Sequence, residues 1–263
     1  MWTSLLLLCR RKRSSLHQKF RMTVWAIADL HASRHDPATG RPTKPMDDFG
    51  AIWVNHMDRL EENWRAHIGQ QDTVVIAGDV DWALHLKDAL FTLERLDGWN
   101  GTKILIRGNH DYWWSSKSTN QVRRILPPSI RLIHNDSIVV EDVNICGTKG
   151  SPVRGAIDWT ADNEKLLQRE LHRLRLSLDS RVPELSTITA IHYPPFYESS
   201  GSSPYKNLLE EYQVACCVYG HLHGEAACSG PHGCIEGIEY VPVAGDYVNF
   251  RPVSVWDGAP AAD

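Results

Sequence analysis

Seven side chains of the kind that bind metals stand at the ends of five apolar segments of the sequence. They are Asp29, His31, Asp79, Asn109, His192, His221 and His223. Carboxylate oxygens, an amide oxygen and imidazole nitrogens are groups with which proteins bind divalent transition metals. One such residue alone is usually a turn former or a satisfied structural group. Their repetition at five segment ends indicates a shared metal site.

The five apolar segments have the composition of buried β-strands. They are residues 23–28 (TVWAIA), 73–77 (TVVIA), 103–106 (KILI), 187–191 (TITAI) and 215–219 (ACCVY). Runs rich in aliphatic and β-branched residues are typical of strands that are covered on both faces. In open α/β sheets, functional groups gather at the carboxyl ends of the strands. The five segment ends are therefore expected to converge on one crevice.

The spacing of the polar residues supports this convergence. Asp29 with His31, and His221 with His223, are each two positions apart. Such side chains lie on the same side of an extended chain. The group at 108–111 sets an amide, an imidazole and a carboxylate in a row, which is costly to desolvate unless each group has a partner.

Amphipathic segments between the strands indicate the fold class. Apolar residues recur at helical spacing from Phe49 to Ile68, which predicts a helix that Asp47 caps. Further helices are expected at residues 86–97, 119–126 and 162–178, and further strands at 130–133, 137–140, 143–146, 238–243 and 253–256. Strands alternating with helices, followed by a strand-rich second half, predict an α/β fold with a second sheet packed against the first.

Length and charge limit the classes of function. A chain of 263 residues with 42% hydrophobic residues can bury a large core. The net charge is −4, and the first 21 residues contain six Lys or Arg and no Asp or Glu, which leaves −10 for residues 22–263. Such an acidic body disfavours stable nucleic-acid binding. A small phosphorylated substrate remains compatible, because bound metal ions would supply positive charge locally.

We interpret residues 1–21 as a disordered or non-native extension, and residues 22–263 as a single domain that starts at Met22. The apolar run of the extension is too short to span a bilayer. Its basic cluster follows the apolar run, unlike the order in a secretory signal. The six cysteines include no CxxC pair and fit a reduced compartment. We therefore expect a cytoplasmic protein without membrane association, and the oligomeric state stays open.

In chain order, the polar groups read Asp29-Leu30-His31, Gly78-Asp79, Gly108-Asn109-His110-Asp111, His192 and Gly220-His221-Leu222-His223. This set resembles the calcineurin-like metallophosphoesterase superfamily, whose five signature blocks are D-x-H, G-D, G-N-H-D/E, H and G-H-x-H. The resemblance runs from about residue 23 to residue 250. Segments such as GTKGSPV, IHYPPF and VYGHLHG are similar to a small bacterial branch of predicted phosphohydrolases.

The resemblance implies a four-layer α/β/β/α sandwich of two packed mixed sheets with flanking helices, and two metal ions at its rim. The implied ligands are Asp29, His31 and His223 for the first metal, Asn109, His192 and His221 for the second, and Asp79 for both. Imidazole ligands favour a transition metal over magnesium alone. Manganese is our first choice, with iron, zinc, cobalt or nickel as alternatives.

The resemblance also implies a reaction, the hydrolysis of a small phosphomonoester or phosphodiester by a metal-bound hydroxide, without a phosphoenzyme. The candidate catalytic residues are His110 and Asp111. His110 would donate a proton to the leaving oxygen, and Asp111 would hold the His110 imidazole in the useful tautomer.

Several readings of the function stay open. Protein Ser/Thr phosphatases of the superfamily carry an Arg shortly after the G-D block and a Glu after G-N-H, whereas this chain reads GDVDWA and GNHD, which disfavours that activity. Cyclic-nucleotide phosphodiesterases often have a second His just before the strand-end His, and Ile191 stands there instead. That activity and a nuclease are the enzymatic alternatives. A metal-binding scaffold without turnover is the non-enzymatic alternative.

Three further features each have two readings. The aromatic run 112–114 could stack on a nucleobase or aryl group, or could belong to the core. Lys149 and Arg154 flank a Gly/Pro loop and could clamp a phosphate, or could be solvated loop charges. Cys228 and Cys234 could form a loop disulfide or a soft-metal site, although their spacing matches no common zinc pattern.

Overall fold

The strands of the chain form two sheets. The computed structural model describes residues 22–154, 156, 159–197 and 201–257, so the extension expected at residues 1–21 lies outside the described residues. The strands are β1 (Thr23–Ile27), β2 (Thr73–Ile76), β3 (Thr102–Leu105), β4 (Ile130–Leu132), β5 (Ile138–Val140), β6 (Val143–Thr148), β7 (Ser186–Ile191), β8 (Cys216–Tyr219), β9 (Gly233–Ile235), β10 (Ile238–Pro242) and β11 (Val253–Asp257).

Both sheets are mixed: their central strands are parallel, and antiparallel strands lie at one edge of the first sheet and at both edges of the second. The five-stranded sheet has the order β11-β1-β2-β3-β4, and the six-stranded sheet has the order β5-β6-β7-β8-β10-β9. In the first sheet β11 is antiparallel to its neighbour, and the other pairs are parallel. In the second sheet the antiparallel strands are β5 and β9. The parallel strands therefore present their carboxyl ends at one edge of each sheet.

The helices differ from the sequence expectation most strongly after Asp47; in addition, the short helix Tyr112–Ser115 was not expected, and the helix expected over 119–126 ends at Arg123. The helices are α1 (His56–His67), α2 (Leu86–Asp97), α3 (Tyr112–Ser115), α4 (Thr119–Arg123), α5 (Asn163–Asp179) and α6 (Pro204–Glu211). The single helix expected from Asp47 to Ile68 is wrong in its first two turns, which are the separate 3-10 turns Asp47–Phe49 and Ala51–Trp53. Gly50 has a φ of 124° and Asn55 a φ of 51°, and neither value is compatible with a continuous right-handed helix.

Alternation of side chains along the strands builds three apolar layers. Val75 and Ile104 belong to the core between the two sheets, where they meet Ile145 and Ile188. On the outer face of the first sheet, Ile76 and its neighbours pack against α1 and α2. On the outer face of the second sheet, the core includes residues of α5 and α6. The resulting order of layers is helices, sheet, sheet and helices, which confirms the expected four-layer sandwich.

None of the helices in the described part of the chain has the length and apolar character needed to cross a membrane.

Candidate metal centre

The seven candidate ligands come together from both sheets. Asp29 and His31 follow β1, Asp79 follows β2, and Asn109 follows β3, all in the first sheet. His192 follows β7, and His221 and His223 follow β8, in the second sheet. Their polar atoms form two clusters, and the Asp79 carboxylate lies between them.

The first cluster contains Asp29, His31 and His223. Asp29 Oδ1 lies 3.8 Å from His31 Nε2 and 3.7 Å from His223 Nε2, and the two ring nitrogens are 3.4 Å apart. Asp29 is fully buried, and its Oδ1 has no hydrogen-bond partner among the described residues. A buried carboxylate oxygen without a partner is costly, and two nitrogens converge on it. This donor set fits a divalent cation.

The second cluster contains Asn109, His192 and His221. Asn109 Oδ1 lies 2.7 Å from His192 Nε2 and 3.0 Å from His221 Nδ1. His192 Nδ1 is 3.0 Å from the carbonyl oxygen of Ala77, to which it donates, so in the neutral ring, the form that binds a metal, Nε2 carries the lone pair. An amide oxygen and an imidazole lone pair then face each other at hydrogen-bond distance. A cation that accepts both lone pairs would stabilise this arrangement.

Asp79 lies between the two clusters. Its Oδ2 is 3.8 Å from His31 Nε2 and 3.4 Å from His192 Nε2. Its Oδ1 accepts a hydrogen bond of 2.7 Å from the backbone amide of His110. One oxygen therefore fixes the loop after β3, and the other faces ligands of both clusters, as a bridging carboxylate would.

Four of the candidate ligands have positive φ values, which are unusual for residues other than glycine. Asp29, His31, Asp79 and His221 have φ values of 56°, 45°, 54° and 71°. Positive φ at residues other than glycine costs on the order of 1–3 kcal/mol each and is concentrated at functional sites. The strand ends also approach each other very closely at Gly108, where an added Cβ would lie 2.0 Å from Asp79 Oδ1.

Burial and the charges of neighbouring groups change the pKa values of the candidate ligands in opposite directions. Burial raises the pKa of Asp29 to about 6 and lowers the pKa of His31 to about 3. Burial and the neighbouring His192 lower the pKa of His221 to about 3. For His192 the effect of burial is outweighed by the Asp79 carboxylate, which raises the pKa to about 9. Conversely, His192 and His31 overcome the effect of burial on Asp79 and hold its pKa below the usual range. The site therefore combines buried groups whose charges depend on each other.

One supporting residue, Asp246, was missed by the sequence reasoning. Its Oδ1 lies 2.9 Å from His223 Nδ1, and its Oδ2 accepts a hydrogen bond of 2.9 Å from the amide of Gly224. Burial lowers the pKa of His223, but the Asp246 carboxylate prevails and raises it. With Nδ1 bound to Asp246, the Nε2 of His223 is the atom that faces the first cluster. The sequence signal was present, because Gly245-Asp246 repeats the Gly-Asp pair of residues 78 and 79 a few residues after an apolar strand.

His110 lies beside the first cluster, next to an aromatic wall that the rings of Trp82 and His31 form. Its ring centroid is 5.6 Å from that of His31 and 4.2 Å from that of Trp82. Its Nδ1 is 3.2 Å from the hydroxyl oxygen of Tyr112. Lys44 places its Nζ 4.9 Å from the centroid of Trp82, so a cation stands next to this wall. Neither Trp82 nor Lys44 was a sequence candidate: Trp82 follows Asp79 by three positions but is not a metal-binding residue type, and Lys44 lies in a loop far from the five strand ends in the sequence.

Asp111 has partners other than the expected one. Its oxygens accept hydrogen bonds from the backbone amides of Asp79 (2.9 Å), Val80 (2.9 Å) and Gly108 (2.8 Å), and from Trp113 Nε1 (3.0 Å). Among the described residues no hydrogen bond joins its carboxylate to the His110 ring, so the expected pairing is corrected. The side chain is fully buried and fixes the backbone of the loop that carries Asp79.

The structure bears on the three sequence features that had two readings: the aromatic run 112–114, the loop cations and the exposed cysteines. Trp113 and Trp114 are core residues with 0% and 2% exposure, whereas Tyr112 is 41% exposed beside His110. Arg154 is an exposed loop charge paired with Glu164 at 2.8 Å. Lys149 is partly buried and makes no ion pair with the described residues. Cys228 and Cys234 are exposed and free, so the loop disulfide is not formed.

Comparison with known proteins places the chain in a family. The model of the calcineurin-like phosphoesterase family matches residues 22–225. The chain belongs to this family and is a metal-dependent hydrolase of phosphoric esters, which confirms the resemblance seen in the sequence. The family binds divalent metal ions. No curated protein sequence matches the chain significantly.

Solved structures similar to the chain have low sequence identity to it. A phosphopantetheinyl hydrolase from Mycobacterium tuberculosis is 14% identical, with coverage of 92% of this chain and 99% of that one and a TM-score of 0.52. A protein of unknown function from Aquifex aeolicus is 15% identical, with coverage of 89% and 95% and a TM-score of 0.46. A protein from Thermus thermophilus is 10% identical, with coverage of 77% and 83% and a TM-score of 0.48.

Proposed function

We propose that the chain is a dinuclear phosphohydrolase that cleaves a small phosphomonoester or phosphodiester. Asp29, His31 and His223 would hold one metal ion, Asn109, His192 and His221 would hold the other, and Asp79 would bridge both. The observation that carries this proposal is the position of Asp79 Oδ2, which faces His31 Nε2 at 3.8 Å and His192 Nε2 at 3.4 Å. A carboxylate that faced only one cluster would suit a single-metal site.

The donor set also suggests which metals would fit. Four imidazoles, two carboxylates and one amide oxygen favour manganese, iron, cobalt, zinc or nickel over magnesium alone. When bound, a pair of such ions would polarise the phosphoryl oxygens and lower the pKa of a water molecule. We keep manganese as the first choice.

His110 is the proposed proton donor to the leaving oxygen. A proton donor must be the protonated ring, in which Nδ1–H donates a hydrogen bond to the Tyr112 hydroxyl oxygen across their 3.2 Å separation and Nε2–H stays free for the substrate. Trp82 covers the ring at 4.2 Å and limits its movement. The imidazole can then present one N–H to a substrate oxygen.

Asp111 acts on the reaction through the backbone in this proposal. It ties the amides of Asp79, Val80 and Gly108 to one carboxylate. The bridging Asp79 and the adjacent Asn109 therefore keep fixed positions relative to each other. Asp111 is thus a positioning residue, and the catalytic part of the pair is His110.

The described cysteines support a reducing location. Cys146, Cys216 and Cys217 are buried in β6 and β8, and all five cysteines of the described residues are free. Free thiols at both buried and exposed positions are typical of a reduced compartment. We therefore retain the cytoplasm as the proposed location.

The test is hydrolysis by the full chain loaded with manganese. We expect hydrolysis of p-nitrophenyl phosphate or bis-p-nitrophenyl phosphate, loss of activity with a chelator, and about two metal ions per chain by elemental analysis. His192→Ala should remove activity and metal together, whereas His232→Ala, at an exposed histidine away from the clusters, should change neither. An active chain with a single ion would refute the dinuclear centre.

A substrate panel distinguishes the alternatives. Small monoesters, diesters, cyclic nucleotides and single-stranded DNA would be compared at equal concentration, and a phosphopantetheine ester joins them because of the structural neighbour from Mycobacterium tuberculosis. We expect the highest kcat/KM for a small ester. Higher kcat/KM for DNA or for a cyclic nucleotide would favour the nuclease or the cyclic-nucleotide phosphodiesterase.

A further inference from the structure

A basic pocket lies one strand away from the metal centre in both sheets. It is a small, partly open depression with a cavity volume of about 20 Å³, between the ends of β4 and β6 and the helix α5. Arg107, Lys149 and Arg173 contribute cationic groups to its lining, and Glu170 contributes the carboxylate. None of these residues is among the proposed metal ligands.

The carboxylate of the pocket is already satisfied. Glu170 is fully buried, and its Oε1 accepts hydrogen bonds from Arg173 (2.8 Å) and Arg169 (3.4 Å). Its Oε2 accepts a hydrogen bond of 2.9 Å from the hydroxyl of Thr148. The two arginines already exceed this single negative charge, and the charges of Arg107 and Lys149 add to the surplus.

Arg107 and Lys149 have no carboxylate partner in the described part of the chain. The Nε of Arg107 is buried and has no hydrogen-bond acceptor there. A buried N–H without an acceptor loses the hydrogen bond that it would make with water, and this loss is largest for a charged group. Burial lowers the pKa of Lys149, although the Glu170 carboxylate acts in the opposite direction. An oxyanion in the pocket would relieve both the missing bond and the repulsion between cations.

The pocket is close enough to the metal centre for one ligand to reach both. Arg107 directly precedes Gly108 and the candidate ligand Asn109. The Nζ of Lys149 lies 5.5 Å from the centroid of the Tyr193 ring, and that ring lies 4.0 Å from the ring of His221. A single aromatic ring therefore separates a pocket cation from a candidate metal ligand.

We propose that this pocket binds a second oxyanion group of the substrate, a phosphate or a carboxylate, while the ester to be cleaved lies at the metal centre. This inference rests on the proposed function. A guanidinium offers parallel N–H donors that match the oxygens of an oxyanion, and an ammonium adds an undirected point charge. The substrate class is thus a phosphoester that carries a remote negative group on a short linker.

The test uses ligands that cannot be hydrolysed, so that binding is measured without turnover. The manganese-loaded full chain would be titrated by calorimetry with three series of equal linker length: alkyl phosphonates, alkanediyl bisphosphonates and ω-carboxyalkyl phosphonates. We expect at least tenfold tighter binding for one of the two doubly charged series, with an optimum at one linker length. An optimum at an intermediate linker length separates a second site from metal chelation, which is strongest for the shortest linker, and from general attraction, which changes smoothly with length. The two series distinguish phosphate from carboxylate.

Substitutions of lysine test whether the pocket causes the tenfold preference for a doubly charged ligand. Lys149→Met should reduce the tenfold preference to less than threefold. Lys165→Met, which removes an exposed lysine of the same helix that carries Glu170 and Arg173, should leave the preference unchanged. If Lys149→Met does not fold, Lys149→Gln and the ligand series on the unaltered chain still decide the question.

Equal affinity of all three series at every linker length would overturn the proposal. A length optimum that persists in a folded Lys149→Met chain would also overturn it. If the protein hydrolyses phosphoesters but binds the three series equally, the oxyanion site is refuted and the proposed function stands. If the protein prefers a doubly charged series but hydrolyses no phosphoester, the oxyanion site stands and the proposed function is refuted.

Discussion

Replacing Asp246 with Asn tests how the first cluster holds a metal ion. Asp246 is 4% exposed, and its two oxygens bind His223 Nδ1 and the amide of Gly224, each at 2.9 Å. Asn has the same shape but no charge. The His223 ring then loses the anion that fixes its hydrogen on Nδ1, and its Nε2 becomes a weaker ligand.

The magnitude follows from the change in hydrogen-bond type. A hydrogen bond to a charged group contributes about 1.5–3 kcal/mol, and a neutral one about 0.5–1.5 kcal/mol. The difference is about 1–2 kcal/mol, and 1.4 kcal/mol corresponds to a factor of ten in a dissociation constant. We therefore expect Asp246→Asn to weaken binding of one manganese ion about 5–30-fold. The other ion should bind almost as before, because the hydrogen bonds of Asp246 go to His223 and Gly224 and not to the second cluster.

The assay is calorimetric titration of the metal-free chain with manganese, with activity measured at each ratio of metal to protein. Activity should recover at high manganese concentration, since the substitution changes affinity and keeps the ligands. Asp162→Asn, at an exposed residue that precedes α5, is the matched control for loss of a carboxylate. Unchanged affinity for both ions in a folded Asp246→Asn chain would refute the reasoning about His223.

Three further substitutions have defined outcomes. Gly108→Ala should abolish metal binding and activity, because its Cβ would lie 2.0 Å from Asp79 Oδ1; retention of two ions by elemental analysis would contradict the close approach. His110→Ala should lower kcat by about 10²-fold or more with unchanged metal content, and wild-type turnover would remove the proton-donor assignment. Lys103 is fully buried, and burial lowers its pKa from 10.5 to about 8. The unfolded chain therefore binds more protons between these pH values, and the free energy of unfolding should rise by about 3 kcal/mol from pH 8 to 10.5. Lys103→Met should remove that rise in urea titrations, and identical pH profiles would show that Lys103 is not the cause.

The sequence predicted which side chains come together, because the ends of the strands depend on local signals. Each of the five strands ends where its apolar run ends, and parallel strands must bring such ends to one edge. The helix expected from Asp47 failed because periodicity does not report the positive φ of Gly50 and Asn55. Asp111 was assigned to His110 because the two are adjacent in the chain. Its true partners, the amides of Asp79 and Val80, are 32 and 31 positions away, and only the folded chain brings them together.

Asp29 and Asp79 use their two carboxylate oxygens in the same way. Asp29 Oδ2 accepts a hydrogen bond of 2.9 Å from the amide of His221, which joins the loop after β1 to the loop after β8. Asp79 Oδ1 accepts one of 2.7 Å from the amide of His110, which joins the loops after β2 and β3. The second oxygen of each carboxylate, Asp29 Oδ1 and Asp79 Oδ2, faces the imidazole nitrogens. One oxygen thus holds a neighbouring ligand loop, and the other is left for a cation. Because these bonds fix the strained ligand loops before any ion arrives, the cost of ordering the site is met by folding, and binding of the metal does not have to supply it.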